Sequence, residues 1–411
     1  MKKVSELQLF RAFRSWNYTL YFIGRAVSQF GTWMQRTAVT WLVYSITHSA
    51  FLIGVSIFAE IFPSFLFSAV GGVAADRWDR YKVIKITQIA SMIQSVLLAA
   101  LAISGHLIVW AILILSVLLG IINAFDVPAR QSLVNDVVAD KEDLPNAISL
   151  TTATASLAQL MGPALAGIVL SAFGAAVCFL LNAASFGAVM VSLMLMKLPR
   201  HQPKNGQKKL LREFEEGFAY LKQRPEIGMV ILLLGVMGVL VLPFNTVLPV
   251  FAKEIFRGDA STFGYLNSFV GAGAVICTIY LASRKPGTSL RSILFVSGLL
   301  LGVGLVGFSF ARNFPLALFF ATVAGFGTMA QVTVTNIFVQ SEAAPEMRGR
   351  AVGIMLMVFF GMLPLGSVLV GAVAERVGAP VTVLAEGVIG LIVMGVFARF
   401  LNGRRRPAGA E

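Results

Sequence analysis

Charge is the scarcest feature of this 411-residue chain: 13% of its residues are Asp, Glu, Lys or Arg, about half the share of an ordinary soluble domain. With 57% hydrophobic residues, no polar shell remains to enclose a soluble core. Cysteine is nearly absent as well. Cys178 and Cys277 each fall inside an apolar run, where a lone buried thiol packs as a small residue, so neither a disulfide nor a metal is assigned. The histidines His48, His106 and His201 are scattered with no ligand partner in register, which argues against a metal site. No G-x-x-x-x-G-K-[ST] loop occurs, so the chain offers no phosphate cradle for ATP. Nucleophile motifs are missing too. No cofactor and no enzymatic activity are therefore expected.

What is present is a series of long apolar runs. A helix crosses the bilayer with roughly 20 apolar residues, whereas outer-membrane barrel strands alternate over about ten. These runs are long and do not alternate. The expected spans are 18–45, 51–74, 83–104, 107–126, 147–173 and 175–197, then 226–250, 261–283, 291–311, 314–340, 351–374 and 379–401. The N-terminal segment is basic, but Arg25, Gln29 and Arg36 in the first run exclude a cleavable signal core.

The net charge of +13 would suit a nucleic-acid partner, but its distribution says otherwise. Of the 33 Lys and Arg residues, 27 fall on the side of the N-terminus, and four on the other: Lys253, Arg257, Arg312 and Arg376. The positive-inside rule then puts both termini in the cytoplasm, with an even number of spans. The basicity reports topology, not nucleic acid.

The longest polar stretch, 198–225, divides six spans from six. Leu211, Phe214, Phe218 and Leu221 within it recur at helical spacing, as in a helix lying on the inner membrane face. The expected organisation is an N-terminal six-helix bundle at 1–197, this linker, and a C-terminal six-helix bundle at 226–411. Pro163 and Pro364 stand 201 residues apart, each in a Gly-rich run, MGPALAGIVL and MLPLGSVLVG, as an internal repeat would have them.

The strongest local signal is GGVAADRWDRYKV between spans two and three, with Gly72, Asp76, Arg77 and Arg80 at fixed offsets in a short turn. This resembles the loop signature of the major facilitator superfamily, G-x-L-A-D-R-x-G-R-[RK], with Asp79 and Tyr81 as departures. FDVPARQSLVNDVV after span four, MGPALAGIVL in span five and PEMRGRAVG before span eleven extend the likeness to the branch containing siderophore and macrolide exporters. Gly162, Pro163 and Gly167 keep part of that family's antiporter motif, with Ala158 and Ala166 at two glycine positions. The resemblance implies an all-α fold of twelve helices in two bundles related by a pseudo-two-fold axis, exporting in exchange for protons.

Two halves that rock against each other need a latch that forms in one state and breaks in the other. Asp76 is placed to meet the N-terminus of span eleven, just after Arg348, Gly349 and Arg350. Arg80 is placed to pair with Asp126, for which Arg130 competes one helical turn away. The alternative is that these charges only set topology.

Ionisable groups at membrane depth are costly and mark function by default. Arg25, Gln29, Thr32 and Arg36 follow helical spacing on one stripe of span one, and Glu60 in span two lies at the depth of Arg36. The two are placed to pair, either as a static bridge or as a proton-coupling site. Glu386 is the other carboxylate well inside a span, expected at the periphery, whereas Asp126 is expected to be hydrated. Gln159, Gln331, Thr335 and Asn336 are cavity candidates, or ties between helices. Met355, Met357 and Phe360 are wall or core. The reading is a monomeric secondary transporter in the bacterial inner membrane, exporting a bulky, partly apolar small molecule against protons. A lipid or lysolipid mover and a non-transporting membrane sensor or scaffold are the rivals.

Overall fold

The structure is a computed structural model, and it describes residues 8–196, 210–284 and 288–402. The first six helices are α1 (Trp16–Thr47), α2 (Ala50–Arg77), α3 (Arg80–Ile103), α4 (Val109–Val137), α5 (Leu144–Phe173) and α6 (Ala175–Leu195). There follow α7 (Leu210–Gln223), α8 (Pro225–Leu240), the short α9 (Leu248–Val250), α10 (Ala260–Ala282), α11 (Leu290–Phe310), α12 (Phe314–Glu342), α13 (Arg348–Val377) and α14 (Ala379–Asn402).

Eleven segments among the described residues are long and apolar enough to cross a membrane. With its polar stripe, α1 falls outside that set on composition, yet its 32 residues reach about 48 Å at 1.5 Å per residue, enough to span. It is the twelfth. The chain is a multi-pass membrane protein.

Local chemistry sets the helix ends. Ser15, Ser49, Asp79, Asp259 and Ser289 cap α1, α2, α3, α10 and α11 by accepting from backbone amides of the first turn. Gly174 (φ 81°) joins α5 to α6 and Gly378 (φ 87°) joins α13 to α14, each alone in a left-handed conformation that a side chain would strain. These junctions lie 204 residues apart, close to the Pro163–Pro364 offset.

The seventh span departs from the expected continuous helix. α8 stops at Leu240, a 3-10 turn runs Leu242–Val247, and a π turn, Phe251–Ile255, follows α9. Pro243 and Pro249 explain the interruption, because each lacks the N–H that an α-helix needs.

α1 packs on α5 and α6, α2 on α4, and α3 on α4 and α6, while α11 packs on α12 and α14 and α8 on α13. The two sets meet along two seams, α5 with α10 and α2 with α13. Both run at backbone contact from mid-helix to the end away from the Arg77–Arg80 turn. A Cβ on Gly271 would stand 2.8 Å from the Gln159 carbonyl, and one on Gly167 2.6 Å from that of Ala260. Gly54 and Gly371 let α2 and α13 meet in the same way. Nearer the basic end the glycines of α2 and α13 face open space instead: a Cβ on Gly72, Gly349 or Gly353 would meet no atom within 4 Å. The close backbone approaches of both seams thus lie in the half away from the basic turn.

Candidate functional site

Arg36 and Glu60 form the ion pair at the centre of the site. Arg36 Nε donates to Glu60 Oε1 at 2.6 Å, with the side chains 41% and 17% exposed. The guanidinium carbon also lies 5.7 Å from the centre of the Trp33 ring. Elsewhere on α2, Phe58 stacks on Phe62 and Phe65 packs against Phe62 at a tilt, with the Phe65 ring facing Gly361 of α13, where an added Cβ would stand 3.4 Å from it.

Lower in α1, Arg25 is half-buried, its Nε finding no hydrogen-bond partner among the described residues. It shares a small cavity with Tyr21, Arg130, Leu133, Ser192 and Met196. Gln29 and Gln159 are half-buried. Gly162 and Pro163 are buried where α5 meets its neighbours, Gly162 against the Trp33 side chain and Pro163 with its carbonyl against Gly264 of α10.

The structure places the remaining candidates as follows. Gln331 is fully buried and donates to the Leu294 carbonyl at 2.9 Å and to Ser297 Oγ at 3.2 Å, so it ties α12 to α11 and lines no cavity. Thr335 is buried one turn on, and Asn336 accepts from Gln340 at 2.8 Å. Met355 is core, whereas Phe360 is 45% exposed. Glu386, expected at the periphery, is 3% exposed.

The latch residues are rearranged too. Arg80 pairs with Asp136 at 3.1 Å and not with Asp126, because α4 runs on to Val137 and carries Asp136 to it. Asp126 is buried, not hydrated. It binds Arg130 on its own helix and accepts from Thr87 Oγ1 at 2.7 Å and Gln88 Nε2 at 2.9 Å. Arg350 bridges to Glu216 of α7 at 2.9 Å, while Arg77 and Arg348 are exposed. The side chains of Asp76, Leu211 and Phe214 lie outside the described residues. α7 is docked by its Tyr220 hydroxyl, which accepts from the Ala344 amide at 3.0 Å.

Two groups escaped the sequence reading. Gln35, Gln94, Ser95 and Asn182 join α1, α3 and α6: Gln35 Nε2 donates to Gln94 Oε1 at 3.0 Å, and Gln35 Oε1 accepts from Ser95 at 2.7 Å and Asn182 at 2.9 Å. The signal was a second polar stripe, Thr87, Ser91, Gln94 and Ser95, at helical spacing on α3. At the closed end, Glu254 accepts from the Tyr44 hydroxyl, and Glu375 accepts from Ser49 Oγ at 3.0 Å and the Phe51 amide at 3.2 Å. Carboxylates from the second half thus hold the ends of α1 and α2.

The profile of the family described as transmembrane secretion effector matches residues 9–405. The chain is 27% identical to the staphyloferrin A transporter of Staphylococcus aureus, over 93% of its own length and 96% of that protein's. It is 26% identical to the enterobactin exporter of Shigella boydii, over 91% and 89%. Its fold is similar to the crystal structure of the nucleoside transporter NupG, with a TM-score of 0.73 and 16% identity over 95% of this chain and 100% of that one.

Proposed function

This chain belongs to the transmembrane secretion effector family of the major facilitator superfamily, and from that premise we propose that it exports a bulky, partly apolar small molecule of drug or siderophore type by alternating access, in exchange for protons. It is a transporter and not an enzyme. Residues 1–197 and 226–411 act as the two rocking bodies, with 198–225 between them, and the protein works as a monomer. It sits in the bacterial inner membrane with both termini cytoplasmic, in keeping with the 27 of 33 basic residues on that side. The basic end is then the inner face, and the seams open inward.

The observation that carries the reading is the Arg36–Glu60 pair, a bridge at membrane depth with a partly exposed guanidinium. A substrate group that engages Arg36 weakens the bridge and leaves the Glu60 carboxylate to be neutralised by a proton; release outward restores the bridge. Substrate and proton therefore compete for one electrostatic site, which is the linkage that exchange requires. Asp76, Arg77 and Arg80, with the start of α13 at Arg348 and Arg350, latch the inner face when the seams close there.

Reconstituted protein with an imposed pH difference tests this, using a labelled macrolide and iron-free enterobactin as probes. The wild type should concentrate at least one probe, and Glu60→Gln should retain only passive exchange. Concentration by Glu60→Gln as strong as wild type would remove Glu60 from coupling.

A further inference from the structure

Glu386 is the most deeply buried carboxylate among the described residues, and neither of its oxygens has a hydrogen-bond partner among them. An ionised carboxylate in that position lacks both water and counter-charge, a costly combination that a bound proton relieves.

The register of α14 shows what the group faces. Gly390, one turn toward the inner end, would place a Cβ 3.3 Å from Val241, the last residue before the break in the seventh span. Gly387 is turned instead toward Val306 of α11. Glu386 lies on the buried face on the Val241 side, one turn nearer the outer end, and so level with the 3-10 turn Leu242–Val247. In that turn Thr246 Oγ1 and Asn245 Oδ1 also lack partners among the described residues, and Thr246 is 1% exposed. Three residues with orphaned oxygens thus stand at the level where a spanning helix is interrupted, on elements that pack together.

Among the described side chains, the charged groups on the neighbouring elements are engaged elsewhere or lie at the helix ends. Glu226 of α8 pairs with Arg291 of α11 at the inner end. On α13, Arg350 is held by Glu216, Arg348 is exposed at the inner end, and Glu375 and Arg376 are exposed at the outer end. Glu254 is bound by Tyr44, and the Lys253 ammonium lies 5.9 Å from the Tyr44 ring. The 3-10 turn itself carries no ionisable residue, and Arg399 sits at the inner end of α14.

The same turn lies against α2, and α9 against α1, so the break belongs to the outer contact between the two halves. We propose that Glu386 is a second proton-binding site, closed off from water in this conformation and loaded from outside when the outer contact parts. This rests on the alternating-access reading and adds to it a proton acceptor in the second half, separate from Glu60.

Infrared difference spectroscopy of the full protein in lipid nanodiscs tests the assignment directly. A carboxylic-acid C=O band should be present in the wild type, insensitive to bulk pH between 5 and roughly 8, and absent in the near-isosteric Glu386→Gln. In Gly264→Leu, whose side chain collides with the Pro163 backbone and wedges the outer seam, the same band should titrate with pH; Gly371→Leu on the other seam is the second wedge. Failure of Glu386→Gln to remove any band, equal titration in wild type and wedged forms, or removal of the band by sodium at fixed pH would each overturn the proposal. Absence of proton-driven export by the wild type, with the Glu386 band behaving as stated, would overturn the exchange reading and leave this proton site standing.

Discussion

Neutralising Arg36 or Glu60 singly should be worse than neutralising both, by an amount the geometry bounds. A fully buried pair loses about 3–5 kcal/mol when one partner is removed, and a fully exposed pair contributes about 0–1 kcal/mol. Here the contact is short, 2.6 Å, and Glu60 is mostly buried, but the Arg36 side chain is 41% exposed and water screens it. Hydrogen bonds inside membrane proteins also average only about 0.6 kcal/mol, because the unfolded chain finds partners in the bilayer. The coupling energy expected is therefore about 1–2 kcal/mol, a factor of roughly 5–30 in an equilibrium constant.

The assay is a double-mutant cycle on unfolding in mixed micelles, with wild type, Arg36→Gln, Glu60→Gln and the double variant. Glutamine keeps most of the side-chain volume, so the cycle reads charge more than packing. Losses that add to within about 0.5 kcal/mol would show that the pair has no energetic existence in the ensemble. The substrate-competition argument would fall with it.

Asp126→Asn should destabilise far more than Asp136→Asn, about 3–5 against about 1 kcal/mol or less, because the Asp126–Arg130 pair is buried whereas the Asp136 side chain is 35% exposed. Unfolding midpoints in one detergent compare them, and equal losses would contradict the burial argument. Gly264→Leu should raise thiol labelling of a Trp41→Cys reporter, since Trp41 stacks on Phe263 across the outer seam at 6.1 Å, while Gly349→Ala should leave labelling unchanged. Labelling that both variants leave unchanged would deny that the seam gates access. The Ser261 hydroxyl, with the Thr262 and Ser261 amides behind it, holds the Asp259 cap below the usual carboxylate range. Its contribution is present above the unfolded value and lost as pH falls through the lower folded one, so Asp259→Asn should flatten that acid limb of the melting curve.

The sequence made the twelve spans, the basic face and the Arg36–Glu60 contact legible, because each depends on strong local preferences: twenty apolar residues, charge beside the bilayer, and two ionisable groups at one depth. Weaker signals were passed over. The polar stripe on α3 has amides and hydroxyls without charge, whose burial costs less, so it stands out less from its apolar background. Pro243 and Pro249 are only six residues apart, and together they mark a broken span that hydropathy alone merges into one helix. The partner of Arg80 shows how a boundary error becomes a chemical one. Asp126 and Asp136 lie on the same helix, about 15 Å apart at 1.5 Å per residue. Ending α4 near 126 offers Arg80 only Asp126, whereas the helix that runs to Val137 keeps Asp126 for Arg130, Thr87 and Gln88 and brings Asp136 to the turn. Which carboxylate Arg80 meets is therefore decided by where α4 stops, and hydropathy marks only the end of the apolar run, which falls well before the helix ends at Val137.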